Sequence, residues 1–446
     1  MKTLARSLNI AVERWLPSSF LFAIVLTLLT ALLGITAGGA SPLDMAGHWY
    51  SGFWDFLEFG MQMTLIIVTG YALAKAPLVA RLLRALASRP RTQRSALSVV
   101  MLSSAAAGII SWGLGFVFGT LLAIEVARAC RKADFRLLIA ASYTAVIATQ
   151  PMSITLTAPL LVNTPGNPFE EQIGLIPVTE TIFSPTMIAV SLLGFAGVYC
   201  AYLLMAPAAD DVVPFAGQER QEERQVPAGA ASAPRTPAER INDSRILGGL
   251  IVLLGLTALG LYVAENGVNL ELNIMNLTFL VLGLALHGSP ERYMRTIGEG
   301  ISAAAGIVVQ FPFYAGIIGM MGGAGLIVLI GGWFASASTE ATFPVLTLVS
   351  AMIVNIFVPS AGGQWLVQGP VMLEASRDMA VPAATVVNAV SVGDMVTNLL
   401  QPFFVLPALG LSGLALKDIW GYCMTAMTIL IVVSCTVFLV FPLLGW

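Results

Sequence analysis

Four short stretches break otherwise apolar runs with residues that can meet a ligand. They are Ser111-Trp112-Gly113-Leu114-Gly115, Thr149-Gln150-Pro151-Met152-Ser153, Val358-Pro359-Ser360-Ala361-Gly362-Gly363, and Ser391-Val392-Gly393-Asp394 with Asn398 and Pro402 behind it. A helix broken at such a point exposes N–H groups at one new end and carbonyls at the other. The first end favours an anion and the second a cation. Ser111 and Ser360 can cap a half-helix and bind a ligand oxygen, while Gly113, Gly115, Gly362 and Gly363 let backbone approach closely. Gln150, Ser153, Gln364, Gln368, Thr397, Asn398 and Gln401 add neutral polar groups near the breaks. Converging, these four points can hold one carboxylate and one or more cations.

Asp394 differs from its neighbours, because an acid deep in an apolar segment is a functional candidate by default. We assign Asp394, Thr397 and Gln401 to ion coupling. No basic side chain is expected beside Asp394, so a carboxylate approaching it needs a proton or a metal ion to join them. Single glycines and prolines serve packing in many membrane helices, and an amide such as Gln368 serves equally as interhelical glue. The pairing of the breaks carries the reading, not any one residue.

Other chemistry lacks its parts. His48 and His287 are expected in loops, so a membrane hydrolase has no base. The four cysteines, Cys130, Cys200, Cys423 and Cys435, show neither CxxC nor metal-ligand spacing. We expect no catalytic site, no bound metal, no cofactor beyond a coupling cation, and no nucleic-acid partner.

The elements that position these residues must lie in lipid. Of 446 residues, 57% are hydrophobic and 11% charged, against about 25% charged in soluble proteins. Plain spans of about 20 residues are expected at 16–36, 54–74, 184–206, 246–264, 273–287, 300–327 and 419–444. The first is too long for a signal-peptide core and is expected to stay as a helix. Interrupted segments fall at 96–128 and 137–163, then again at 342–375 and 382–410. Paired interruptions in two halves point to the binding site of a secondary transporter, because irregular backbone at membrane depth must line a cavity or pack in protein. Residues 207–244 are rich in Pro, Ala, Gln, Glu and Arg, and read as a flexible linker between repeats 1–206 and 245–446.

Charge fixes the expected topology. With the N-terminus cytoplasmic, and with 96–128 and 342–375 as re-entrant hairpins, 21 of the 22 Lys and Arg fall inside, leaving Arg377. Nine crossings and two hairpins then put the C-terminus in the periplasm and invert one half relative to the other. The fold class expected is an all-α polytopic inverted repeat with two helical hairpins and two broken helices.

Several motifs carry a resemblance. They include Gly60-Met61-Gln62-Met63, Trp112-Gly113-Leu114-Gly115, Thr164-Pro165-Gly166-Asn167-Pro168, Val309-Gln310-Phe311-Pro312-Phe313-Tyr314-Ala315-Gly316, Val358 to Trp365, Gln368-Gly369-Pro370, Gln401-Pro402-Phe403 and Asp418-Ile419-Trp420-Gly421-Tyr422. With them, nearly the whole chain apart from the linker resembles the bacterial short-chain fatty acid transporters, the acetoacetate/butyrate permease type. The resemblance implies uptake of short-chain monocarboxylates across the inner membrane by a homodimeric carrier with a scaffold part and a moving part. It also implies that the tips, Ser111, Trp112 and Gly113 with Ser360, Ala361, Gly362 and Gly363, receive the substrate carboxylate. Thr149 to Ser153 and Asp394-Met395-Val396 depart from the family pattern, which concerns the exact substrate and coupling ion. A carrier or passive channel for another small organic anion is the alternative.

Overall fold

Residues 19–207, 212–215, 236–358, 361–377, 379, 381–400 and 405–442 are described by the computed structural model, and their regular elements are all helical. The first half runs α1 (Ser19–Thr36), α2 (Pro42–Gly52), α3 (Leu57–Ala74), α4 (Pro77–Ala87), α5 (Gln93–Ile110), α6 (Trp112–Ala129), α7 (Phe135–Thr149), α8 (Thr157–Asn163), α9 (Glu170–Ile173) and α10 (Pro185–Leu204). Then come α11 (Pro237–Asn242), α12 (Arg245–Asn266), α13 (Leu272–His287), α14 (Pro290–Gly323), α15 (Leu326–Ser336), α16 (Phe343–Phe357), α17 (Ala361–Arg377), α18 (Ala383–Thr397), α19 (Leu406–Ser412) and α20 (Leu416–Val440). Eight helical stretches among the described residues are long and apolar enough to cross a membrane.

One order of elements occurs twice: a long helix, an 11-residue helix, a hairpin, a broken helix, and a long helix. In the first half these are α3, α4, α5–α6, α7–α8 and α10; in the second they are α14, α15, α16–α17, α18–α19 and α20. Packing follows the same order. α4 lies on α6 of its hairpin, and α15 lies on α17 of the other.

The first hairpin turns at one residue. Ser111 is extended (φ −160°, ψ 127°), closing α5 and opening α6, and the two limbs pack along each other. Its open end is tied as well. Thr92 caps α5, and the Gln93 Oε1 accepts from the Asp134 backbone N–H at 2.6 Å. Asp134 in turn caps α7 through the Leu137 N–H at 2.9 Å.

The second hairpin packs on α18, and Gly393 sets how closely. A Cβ there would stand 2.6 Å from the Ala351 Cβ and closer still to the Leu348 carbonyl, so only glycine lets these helices meet. Around α14 gather α1, α2 and α3. At 34 residues it is about 51 Å long. It therefore starts at Pro290, before the apolar part that the sequence marks at 300. Polar side chains lock α3 to α13: the Gln62 Nε2 donates to Asn273 Oδ1 (3.0 Å), and the Asn276 Nδ2 to the Gln62 carbonyl (3.0 Å).

Three expectations change. The second broken helix does not break at Ser391–Asp394; α18 runs unbroken to Thr397, and Asn398 ends it. The stretch holds no proline to stop the ladder, and the Ser391 hydroxyl donates to the Val387 carbonyl one turn back (2.7 Å). His48 and His287 are in helices rather than loops: His48 lies in α2, and His287 is buried at the end of α13. Inside the expected linker, two stretches are folded. Val213 and Phe215 dock at the hairpin base, with Val213 bonded to Asp134 and Phe215 against Phe135. α11 is closed by a capping box from Thr236 and Glu239.

Candidate anion site

The site is assembled from three helix segments. Leu156, Thr157 and Ala158 open α8; Ala361 opens α17; Val390, Ser391 and Asp394 lie along α18. Together they line a narrow cavity of about 10 Å³, room for about one water molecule.

Asp394 is the one charged side chain on that lining. It is 2% exposed, its Oδ1 is buried without a hydrogen-bond partner, and no ion pair reaches it among the described residues. Its backbone is held firmly. The Asn355 Nδ2 of α16 lies within hydrogen-bond distance of the Asp394 carbonyl (2.6 Å), the Thr397 Oγ1 (3.0 Å) and the Asn398 Oδ1 (2.9 Å). From the other side, the Tyr143 hydroxyl of α7 donates to the Asn398 carbonyl at 2.8 Å. The C-terminal carbonyl end of α18 is thereby joined to both α16 and α7.

The first hairpin tip stands next to this cavity and not on it. The Trp112 backbone N–H donates to Thr155 Oγ1 (3.3 Å), and its indole N–H to the Thr155 carbonyl (3.0 Å). Ile154 N–H donates to the Ile109 carbonyl at 2.8 Å. Ser111 is fully buried and caps α6 through the Leu114 N–H. Across the tip, a Cβ on Gly70 of α3 would touch Ser111 Oγ at 3.4 Å, which places α3 against the turn. Gly113 follows inside the first turn of α6, off the cavity wall.

The remaining predicted residues separate by role. Gln150 sits in the 3₁₀ turn that breaks α7, buried, its Oε1 without a partner. Ser153 is buried with its hydroxyl 3.2 Å from Thr155 Oγ1. Gln364 and Gln368 join the two limbs of the second hairpin: Gln364 Nε2 reaches the Ala351 carbonyl and Gln368 Oε1 (2.9 Å each), and Gln368 Nε2 reaches Ser350 Oγ (2.8 Å). Gly362 faces away from the cavity. A Cβ there would meet the Phe311 ring at 2.9 Å and the Phe59 ring at 3.1 Å. Gly363 is buried beside it. Ser360 and Gln401 lie outside the described residues. Of the residues assigned from sequence, Ala361 and Asp394 line the cavity, and Ser111, Trp112, Ser153, Thr397 and Asn398 support its walls.

Sequence reading missed Asn355, Tyr143, Thr155 and Thr157. Asn355 left a signal, as the sole polar residue of the apolar run Ala351-Met352-Ile353-Val354-Asn355-Ile356-Phe357. What that residue touches was not visible, because its partners are about 40 positions away in α18.

The comparisons with known proteins agree with this architecture. A family model described as "Short chain fatty acid transporter" matches residues 1–442. A relative from Escherichia coli (strain K12), provisionally named a short-chain fatty acid transporter, is 40% identical over 98% of this chain and 99% of its own. A Haemophilus influenzae relative with the same provisional name is 37% identical over 95% of this chain and 96% of its own. Among solved structures, the Alcanivorax borkumensis YdaH transporter, described as having an unusual topology, matches with a TM-score of 0.62. It is 16% identical and covers 96% of this chain and 99% of its own, a likeness of fold.

Proposed function

This chain belongs to the short chain fatty acid transporter family, and from that premise we propose a cation-coupled secondary carrier that takes up short-chain monocarboxylates across the inner membrane. The observation that carries the reading is Asp394, a buried carboxylate on a small cavity whose Oδ1 has no hydrogen-bond partner among the described residues. Ala361, the first residue of α17, lines that cavity, and a helix start is a place that favours the carboxylate of a substrate. Two acids that close cannot both stay ionised unless a cation joins them. Substrate and cation therefore bind together, each raising the affinity of the other by the same factor. A proton would sit on Asp394 itself. Sodium would use its carboxylate with carbonyls from the end of α18.

Alternating access follows from the repeated order of elements. If the two sets are inverted, one hairpin opens from each side of the membrane, and both meet the broken helices at mid-depth. The group around α14 would act as scaffold, with the hairpins, α7, α10, α18 and α20 moving against it. Pairing of two such scaffolds would give the homodimer that the family resemblance implies.

Uptake of labelled acetate, butyrate and acetoacetate into proteoliposomes under imposed proton or sodium gradients tests this reading. We expect one gradient to drive accumulation above the outside concentration, and an ionophore to abolish it. Equilibration without accumulation under either gradient would instead make the protein a passive channel.

A further inference from the structure

We infer that α4 is an anionic-lipid recognition element: its Arg81 and Arg84, with Arg89 just beyond, take phosphatidylglycerol-type headgroups beside the first hairpin. The segment from Lys75 to Arg94 carries six basic residues (Lys75, Arg81, Arg84, Arg89, Arg91, Arg94) and no acid. Elsewhere Arg128, Arg136, Arg292 and Arg377 meet Glu125, Asp134, Asp243 and Glu374. None of the six has an ion-pair partner among the described residues, and all but Lys75 are exposed. Lys75 lies over the Tyr71 ring, 5.6 Å from its centre, at the end of α3.

Helical spacing sorts α4 into three stripes. Leu83 and Ala87 are buried, with Val79 and Leu86 partly so, on the face that α6 covers. Leu78 (54% exposed) and Leu82 (50%) form a second, uncovered stripe. Arg81 and Arg84 form the third, on the far side of the exposed arc. A helix with one flank apolar and the other basic, set at the end of a membrane span, lies in the interface plane. Its leucines enter the acyl boundary and its arginines meet headgroups.

The second half supplies the contrast. α15 follows its long helix and packs on its hairpin as α4 does, but Leu326–Ser336 has no charged residue and exposes Val328, Leu329 and Trp333. Packing on a hairpin therefore does not require the arginines. Beyond their share in the cytoplasmic charge bias, they are left to meet a partner outside the chain, and the charge complement of an unpaired basic stripe beside exposed leucines is an anionic phospholipid. Because α6 is a limb of the first hairpin, a headgroup bound here loads the element whose tip stands beside the site.

The test uses the full chain in phosphatidylcholine-detergent micelles doped with phosphatidylglycerol, following the thermal unfolding midpoint. Phosphatidylglycerol should raise the midpoint beyond an equal amount of phosphatidylcholine, and salt should weaken the effect. Each Arg→Gln change at 81, 84 or 89 should raise the half-maximal phosphatidylglycerol fraction about fivefold, so the triple variant loses the response. Arg81→Lys, Arg84→Lys and Arg89→Lys together should keep it. The readout is the difference between the two lipids within one variant, so a general loss of stability does not imitate it. A triple Gln variant that responds like the wild type would overturn the assignment. So would equal shifts from both lipids, or the same shift from soluble glycerol phosphate.

Discussion

An ionisable group buried in a membrane protein costs free energy that nothing among the described residues returns to Asp394. Its Oδ1 has no donor, and Asn355 is committed to the backbone carbonyl of Asp394 and to Thr397 and Asn398. Such a residue is kept for what visits it. Asp394→Asn keeps the shape and removes the charge, so a cation no longer has a reason to join the substrate. We expect accumulation driven by an ion gradient to fall to simple equilibration, while counterflow of labelled for unlabelled substrate continues. Wild-type accumulation with unchanged ion dependence would move coupling to the carbonyls of α18 alone. Asp394 was legible in the sequence because an acid inside an apolar run needs no partner to be conspicuous. Asn355, Tyr143 and Thr155 were not, since each acts through a hydrogen bond to a segment far away in the chain. Gln364 shows the converse: its type and place suited a ligand, but its Nε2 is spent holding α16 to α17.

At the scale of elements, the breaks were legible where the backbone chemistry forces them. Pro151 and the single extended residue Ser111 end helices by removing or redirecting N–H groups. Ser391-Val392-Gly393-Asp394 looked similar in composition, yet neither a proline nor a left-handed residue stops α18 there, and the Ser391 hydroxyl is bonded within the helix to the Val387 carbonyl. Gly362 marks where the second hairpin meets the helices gathered around α14, against Phe311 of α14 and Phe59 of α3. Gly362→Val inserts methyl groups into a gap already closed to a Cβ, at a cost of about 1–3 kcal/mol. The resulting shift should fall on the tip that carries Ala361. We expect uptake and binding to be lost while expression and assembly stay near normal; wild-type affinity in a folded Gly362→Val protein would show that the contact does not position the site. Asp134 makes a second elemental prediction. It caps α7, holds the Val213 N–H at 2.9 Å and pairs with Arg136 at 3.2 Å. Asp134→Ala should lower stability by about 2 kcal/mol, the upper end for a lost cap, and should raise hydrogen exchange at 212–215 selectively. Unchanged protection there would mean that Phe215 alone secures the strap.

For the whole molecule, the question is which ends share a side of the membrane, and here two independent lines meet. By the charge census both flanks of the first hairpin are expected in the cytoplasm, because Arg91 and Arg94 precede it and Arg128, Arg131 and Lys132 follow it. Had 96–128 been a simple crossing, one of those clusters would face the periplasm. Hydrogen bonds add a constraint that charge cannot supply. Gln93 Oε1 holds the Asp134 N–H at 2.6 Å, and Asp134 holds Val213 of the linker. The start of α5, the start of α7 and part of the linker are therefore at one place and on one side. Arg377, the basic residue left over, is paired with Glu374 at 3.0 Å and is 53% exposed, as a charge at the opposite surface can be. Counting onward through the second half then gives the periplasm as the expected side for Trp446, which lies outside the described residues. Single cysteines test this after the exposed native Cys200 is replaced. With a membrane-impermeant thiol reagent on intact cells, a cysteine at Trp446 should label. Cysteines at Gln93 and at Lys132 should label only once the membrane is opened. Because one hydrogen bond joins the two hairpin ends, they must give the same answer. Labelling of Gln93→Cys from outside intact cells, with Lys132→Cys protected, would make 96–128 a crossing and overturn the hairpin, and with it the inversion of the second half.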